Sequence, residues 1–202
     1  GIDRFSEDLD FDCKDFSKDE FSEMTDAVLR FLERSGWRVE TRDRDNPKLT
    51  AFRCNIHFPE LLFDMGLSGH REERFLIKIE SQDQGVEYKP VIANIGGCGF
   101  FFPFPVPSDG VMCSMKIAAM LARAKGRDFY DLMFLMGQAK PDYDFLKKRC
   151  GIATLEQLKS ATAEKLKTVD LKSKQRDFEH LLFNRDNSVR VLRFGEFMAS
   201  LS

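Results

Sequence analysis

The chain has 202 residues, of which 43% are hydrophobic and 32% charged, so it is long and apolar enough to form a packed core. Its 31 basic and 33 acidic residues give a net charge of −2, which argues against a globally basic nucleic-acid-binding protein without excluding a local basic surface. Five cysteines without a C-x-x-C pair argue against a disulfide framework and a zinc site. The acidic start is unlike a signal peptide, and no apolar run is long enough to span a membrane, so we expect a cytoplasmic protein.

The N-terminal region is predicted to begin with a short strand and a helix. Apolar and acidic residues alternate over residues 4–12, which predicts a strand with Leu9 and Phe11 on one face and aspartates on the other. Ser17 is the expected N-cap of the helix, and Glu20 is its capping-box partner. A stripe of apolar residues follows at helical spacing, and the helix is expected to end at a glycine, Gly36.

More strands are predicted in the following sequence, at residues 37–41, 50–58, 73–81 and 88–95. The next stretch, residues 96–107, contains Gly-Gly, three consecutive phenylalanines and three prolines, which indicates a loop or an edge segment. Its phenylalanines fit either a partner-binding patch or a buried edge or domain seam, and spacing favours the buried alternatives. With 20 phenylalanines in the chain, much of the core is expected to be aromatic.

The second half of the chain has helical periodicity. Ser108 or Asp109 is expected to cap a helix that runs to about Lys125, with Gly126 as its C-cap. Further helices are predicted at residues 128–136, 142–149, 154–161, 174–182 and 189–202. These elements predict an α+β protein in which a mixed-sheet core at residues 1–107 is followed by a helical domain at residues 108–202.

Asp8 and Asp10 are the first candidate functional residues. Residues i and i+2 of a strand face the same side about 7 Å apart, so the two carboxylates can share a hard divalent cation such as Mg²⁺. Glu80, which lies near the end of an apolar strand, is a candidate third carboxylate. From spacing alone, however, ordinary solvent-facing strand residues remain the favoured interpretation for all three.

Two cations on the first predicted helix of the second half form another candidate group. Lys116 and Arg123 are seven residues apart, so they share one face of an apolar helix, where each needs a phosphate or a carboxylate as a partner. Two surface cations are the alternative. Asp128 is expected as the N-cap of the next helix and Asp131 in its first turn, where the helix dipole favours negative charge.

These two segments carry a resemblance to a known family. The residues Arg4-Phe-Ser-Glu-Asp-Leu-Asp-Phe resemble the R-x-S-x-D-x-D motif of AbiEii/AbiGii-type nucleotidyltransferases, which are toxins of bacterial toxin–antitoxin and phage-defence systems. A lysine on a helix followed by Arg-Asp-x-x-Asp is similar to the second signature of the same family, and Lys116 begins this pattern here. Two motifs in the right order are far more specific than either of them alone.

The resemblance implies a nucleotidyltransferase-like sheet followed by helices, and transfer of a nucleoside monophosphate from an NTP to an acceptor such as a tRNA 3′ end. It also implies a cognate antitoxin as a partner. Asp8 and Asp10 would then be catalytic and, with Glu80 as our own addition, would hold Mg²⁺. Lys116 and Asp128 would complete the catalytic group, and the substrate-binding residues would be Arg4, Ser6, Arg123, Arg127 and Asp131.

One element of the family pattern is not found in this sequence. The family has a Gly-Gly/Ser loop about ten residues before the first aspartate, where backbone N–H groups cradle the triphosphate. This sequence begins at Gly1 and lacks that loop, so weak NTP binding is expected. The alternative hypothesis is therefore a catalytically incomplete relative that acts as a binding or interaction protein.

Overall fold

The structure is a computed structural model that describes residues 1–6, 8–41 and 51–202. The chain forms two compact units. Ser6–Gly85 form the first, here called the sheet unit, while Gly1–Phe5 and Val86–Ser202 form the second, here called the helical unit. The predicted α+β class is confirmed. The division into domains after residue 107 stays a prediction. No described helix is long and apolar enough to cross a membrane.

The sheet unit contains a mixed four-stranded sheet in the order β1-β4-β3-β2. β1 (Asp8–Asp12) pairs with β4 (Phe75–Gln82) in parallel, whereas β4 pairs antiparallel with β3 (Phe52–Phe58) and β3 pairs antiparallel with β2 (Glu40–Thr41). Among its described residues the unit also has two helices, α1 (Lys18–Arg34) and the short α2 (Leu61–Asp64).

Helix α1 covers one face of this sheet. As predicted, Ser17 caps it and forms a capping box with Glu20, whose carboxylate accepts the Ser17 backbone N–H at 2.8 Å. Side chains of α1 and of alternate strand positions form the core of the unit, whose buried members are Phe21, Cys54, Ile56, Phe58 and Ile79. Because side chains alternate along a strand, the intervening residues of β3 and β4 lie on the opposite face, away from α1.

The helical unit begins with a two-stranded hairpin, β5 (Val91–Gly97) and β6 (Phe100–Val106). Helices follow at α3 (Asp109–Arg123), α4 (Gly126–Met136), α5 (Tyr143–Cys150), α6 (Leu155–Leu166), α7 (Leu171–Arg176) and α8 (Phe194–Ser200). Two 3₁₀ segments, Glu179–Leu181 and Arg185–Arg193, lie between α7 and α8. The core contains fully buried side chains from most of these helices, including Ile117, Met120, Phe129, Leu132, Leu146, Leu158 and Phe194.

The turn between α3 and α4 differs from the prediction. Ala124, in the left-handed conformation, is the C-cap of α3, and Gly126 is the first residue of α4. Asp128 is therefore not the N-cap of α4 but its third residue, and Asp131 lies beyond the first turn. The prediction was wrong because it placed the glycine by its conformational freedom, whereas close packing selects glycine at this position.

Other boundaries also differ from the sequence-based elements. The start of the strand predicted at residues 50–58 lies outside the described residues, and only Glu40–Thr41 of the predicted strand 37–41 is extended and paired. Residues 96–107, expected to be a loop or edge segment, supply most of a regular hairpin. Its phenylalanines are exposed, so a buried edge is ruled out: Phe101 is 75% exposed and Phe100 59%.

Gly126 provides a test of this packing. A Cβ atom at Gly126 would overlap the Lys174 carbonyl oxygen, the Asp177 carboxylate and the Phe178 ring, and the backbone carbonyl cannot easily move. We expect Gly126→Ala to destabilise the helical unit by about 1–3 kcal/mol, as other overpacked core sites do. Urea unfolding followed by far-UV circular dichroism measures the change.

Gly195→Ala is the matched control, because its Cβ would make an ordinary contact of 3.6 Å with Leu166. An alanine at a helical glycine is expected to be neutral or slightly stabilising. Equal unfolding midpoints for the two variants would contradict the packing argument.

Candidate functional site

Three carboxylates meet on the face of the sheet unit that α1 leaves uncovered. The parallel register pairs Asp8 with Lys78 and Asp10 with Glu80, so the acidic side chains of neighbouring strands lie on one face. One carboxylate oxygen from each of Asp8, Asp10 and Glu80 lies within 4.8 Å of the others. Asp10 is exposed, while Asp8 and Glu80 are partly buried. We call these three residues the acidic group.

Two cations of the same sheet balance part of this charge. Lys78 Nζ lies 2.9 Å from a carboxylate oxygen of Asp8 and 3.6 Å from one of Glu80. Arg53, which is opposite Glu80 in the register of β3 and β4, donates from its guanidinium to the other Glu80 oxygen. Within these five side chains one negative charge remains in excess.

The acidic group fits a hard divalent cation. Carboxylate oxygens are the protein ligands that Mg²⁺ prefers, and one or two of them together with substrate phosphates form its usual coordination. The partly exposed position of the group leaves the carboxylates within reach of a substrate. Lys78 contacts one oxygen of Asp8 and one of Glu80, so a bound cation and the Lys78 ammonium group would compete for these two carboxylates.

A second group of charged residues lies in the helical unit, where the first residues of the chain are anchored. The Asp3 carboxylate accepts hydrogen bonds from the Tyr130 hydroxyl and the Asn187 amide, both at 2.7 Å. The Tyr130 hydrogen bond is the main reason that the pKa of Asp3 is lowered. Backbone bonds from Phe5 N–H to the Leu181 carbonyl and from Phe183 N–H to the Asp3 carbonyl extend this attachment.

The attachment places Arg4 on the carboxylate of Asp131. Arg4 donates through Nε and Nη2 to the two Asp131 oxygens, at 2.6 and 2.7 Å, and Lys116 Nζ lies 2.7 Å from the same carboxylate. The Asp131 side chain is 4% exposed. Burial raises its pKa, but the Arg4 hydrogen bonds and the Lys116 charge outweigh burial and hold the pKa below its ordinary value. We call these three residues the Asp131 group.

Asp128 has a separate arrangement at the start of α4. Its fully buried carboxylate accepts hydrogen bonds from Arg123 Nε and Nη2, at 2.9 and 2.8 Å, and from the Lys125 backbone N–H at 3.1 Å. Each of the two α3 cations thus has a carboxylate partner on α4, which is one of the alternatives that the sequence left open. The contacts show Asp128 fixing the turn between the two helices, and its catalytic role stays a prediction.

The remaining predicted substrate-binding residues lie in both units. Ser6, in the sheet unit, is exposed and donates from its hydroxyl to the Asp8 carbonyl at 3.1 Å. Arg127 is partly buried on α4 of the helical unit. The predicted site residues thus form an acidic group in one unit and an Asp131 group in the other, and their placement in one site stays a prediction.

Sequence reasoning missed Lys78 and Arg53. Lys78 carried a usable signal, because it lies two residues before Glu80 and so must share its strand face. Arg53 carried none, since its approach to Glu80 depends on the pairing of β3 with β4, which the sequence does not specify.

Comparisons with known proteins identify a similar family and a similar structure. A protein family described as "Nucleotidyl transferase AbiEii toxin, Type IV TA system" has a sequence model that matches residues 1–193 of the chain. Among solved structures, the chain is similar to MenT4, a nucleotidyltransferase toxin from Mycobacterium tuberculosis H37Rv, with 17% sequence identity and a TM-score of 0.45. The alignment covers 98% of this chain and 70% of MenT4. A search of curated proteins found no match.

The Asp131 group gives a prediction about stability and pH. Asp131→Asn removes the charge that compensates Arg4 and Lys116, so we expect a loss of about 3–5 kcal/mol in the free energy of unfolding at neutral pH. The lowered pKa of Asp131 makes its contribution complete above the unfolded-state pKa of about 4, and the contribution disappears as pH falls through the lowered value. Urea unfolding between pH 7 and the acid limit measures both effects.

Asp144→Asn, an exposed aspartate on α5, is the control and should change stability by less than about 0.5 kcal/mol. The difference in the free energy of unfolding between wild type and Asp131→Asn should become smaller only at acid pH. A difference that is absent at neutral pH, or that does not change with pH, would refute the ion-pair account.

Proposed function

Because the chain belongs to the AbiEii family of nucleotidyltransferase toxins from type IV toxin–antitoxin systems, we propose that it transfers a nucleoside monophosphate from an NTP to an acceptor hydroxyl in a Mg²⁺-dependent reaction. The acidic group is the observation that carries the proposal: three carboxylates of two neighbouring strands have oxygens within 4.8 Å of each other. The proposed acceptor is the 3′ end of tRNA.

The acidic group is assigned to the metal in this proposal. Asp8, Asp10 and Glu80 would hold Mg²⁺, which when bound activates the attacking oxygen and stabilises the charge of the leaving pyrophosphate. The three carboxylates would hold the cation beside strands β1 and β4. Phosphoryl transfer needs mainly positioning and charge neutralisation, so a sparse group of this kind is sufficient.

The cations of the helical unit are assigned to the triphosphate. Lys116 is the proposed phosphate ligand, and Asp131 holds its ammonium group in place through the 2.7 Å ion pair. Arg4, Ser6, Arg123 and Arg127 are proposed to assist substrate binding, and Asp128 supports the same helix pair. Because NTPs and tRNA are substrates found in the cytoplasm, we propose that the reaction takes place there. We propose further that a cognate antitoxin inhibits the chain and that the reaction serves phage defence.

A second candidate function is binding without turnover. The contacts of Lys78 and Arg53 with the acidic group favour it, because cations that already neutralise the carboxylates weaken the attraction for a metal. In this case the chain would bind an antitoxin or a nucleic acid through the same fold.

The decisive experiment is transfer of label to RNA. The chain is incubated with Mg²⁺, total tRNA and each of the four α-phosphate-labelled NTPs in turn, and label in RNA is counted. We expect transfer with at least one NTP. Asp10→Asn should reduce the rate by roughly a hundredfold or more, because a catalytic metal supplies several kcal/mol of transition-state stabilisation.

Asp12→Asn is the matched control, since Asp12 lies on the same strand and outside the acidic group, and it should keep the wild-type rate. Equal rates for Asp10→Asn and wild type would refute the proposed metal site. Retained binding of RNA or antitoxin without label transfer would instead support the second candidate.

Competition between Lys78 and the metal gives a separate prediction. Lys78→Met removes an ion pair and a positive charge next to the carboxylates, so we expect Mn²⁺, used in place of Mg²⁺, to bind about tenfold more tightly, equivalent to ~1.4 kcal/mol. Electron paramagnetic resonance of free Mn²⁺ measures this binding in the absence of nucleotide.

Lys172→Met, at an exposed position on α7, is the control and should leave Mn²⁺ binding unchanged. Unchanged or weaker binding by Lys78→Met would show that Lys78 does not compete with the cation. The double variant Lys78→Met with Asp10→Asn should lose the gain in Mn²⁺ affinity. This loss would show that the ion binds at the acidic group and not at other carboxylates.

A further inference from the structure

The hairpin of β5 and β6 has an unusual composition for this chain. Residues 90–108 contain no charged side chain, although 32% of all residues are charged. Its apolar side chains are nevertheless exposed: Ile92 is 68% exposed, Phe101 75% and Phe100 59%. Exposed apolar surface of this kind marks an interaction site more often than a solvated surface.

The turn of the hairpin fixes which backbone groups point outward. Cys98 and Gly99 both have positive φ, at 49° and 84°, as a two-residue type I′ turn requires. Such a turn is closed by a hydrogen-bonded pair, here Gly97 and Phe100, and hydrogen-bonded and non-hydrogen-bonded pairs then alternate along the ladder. The non-hydrogen-bonded pairs, whose N–H groups point away from the partner strand, are Gly96 with Phe101, Asn94 with Pro103 and Ile92 with Pro105.

The two outer edges of the hairpin therefore differ. Two of the three outward positions of β6 are prolines, which have no N–H to donate, so this edge resists pairing with another strand. The outward positions of β5 are Ile92, Asn94 and Gly96, all of which have an N–H group. No described residue outside β6 forms a backbone hydrogen bond with β5.

We propose that two copies of the chain pair antiparallel through the outer edge of β5, forming a four-stranded sheet in the order β6-β5-β5-β6. A two-fold axis at Asn94 places Asn94 opposite its counterpart and Ile92 opposite Gly96 of the second copy. All three outward residues then form hydrogen-bonded pairs, each of which exchanges both N–H···O bonds. This interface is independent of the proposed transferase reaction.

Three features of the hairpin select a second copy as the occupant. The register is self-complementary, because every outward residue of β5 meets another outward residue. The absence of charge over residues 90–108 removes the repulsion that identical charged strands would suffer. The proline edges of β6 lie on the outside of the four-stranded sheet, so assembly ends at two copies and does not continue into a fibre.

Sedimentation equilibrium of the full chain tests the pairing. We expect a dimer that dissociates on dilution, and Asn94→Pro should give a monomer because it removes one outward N–H. The hairpin itself should tolerate this change, since Asn94 and Pro103 form a non-hydrogen-bonded pair and the Asn94 N–H makes no bond to β6. Asn94→Thr keeps the N–H and should stay dimeric, and circular dichroism checks that each variant is folded.

Cross-linking tests the register even if Asn94→Pro fails to fold. The two copies of Asn94 form a hydrogen-bonded pair with Cα atoms about 5.5 Å apart, which a disulfide can span. With the exposed turn thiol removed by Cys98→Ser, Asn94→Cys should therefore form a covalent dimer on oxidation, whereas Ile92→Cys should not, because its thiols would be about 13 Å apart along the strands. A monomeric wild-type chain at the highest soluble concentration, a dimeric Asn94→Pro variant, or equal cross-linking of the two cysteine variants would overturn the proposal.

Discussion

The parallel register of β1 and β4 decides whether the carboxylates of this protein can act together. Asp10 faces Glu80 across the two strands, and the same alternation places the side chains of Ile79 against α1. A slip of one residue would move the aspartates to the opposite side of the sheet relative to Glu80. Burial of the apolar face under α1 therefore fixes the acidic group as well as the core. The slipped register would expose apolar core residues and would separate the carboxylates of the acidic group.

Charge is balanced differently in the two units. Asp128 and Asp131 are almost fully buried, and each has its own guanidinium or ammonium partners, so their charges are compensated within the protein. A buried carboxylate without such a partner would cost several kcal/mol. The acidic group is less buried and is only partly neutralised by Lys78 and Arg53. Its carboxylates are therefore more accessible to a cation from solution than the buried carboxylates of α4.

Features that depend on neighbours in the sequence were predictable, whereas features that depend on tertiary packing were not. The cap of α1 follows from local spacing, and the structure confirms it. Spacing left either a phosphate or a carboxylate as the partner of the α3 cations, and the structure shows carboxylates. The role of Gly126 was mispredicted because its contact with Lys174 joins distant parts of the chain. Arg53 was missed for the same reason. The exposure of the hairpin phenylalanines contradicts the buried edge that was favoured from the sequence, because exposure depends on tertiary packing.

The two cations on Asp131 differ in what they have left to offer a phosphate. Arg4 uses Nε and Nη2 on the carboxylate and Nη1 on the Phe5 carbonyl, and its side chain is 12% exposed. Lys116 is 29% exposed, and an ammonium group has three donors, of which the contact with Asp131 requires one. Lys116 is therefore better placed than Arg4 for the proposed phosphate contact. Arg4 fixes the Asp131 carboxylate, and through this contact a residue of the first motif positions a cation of the second.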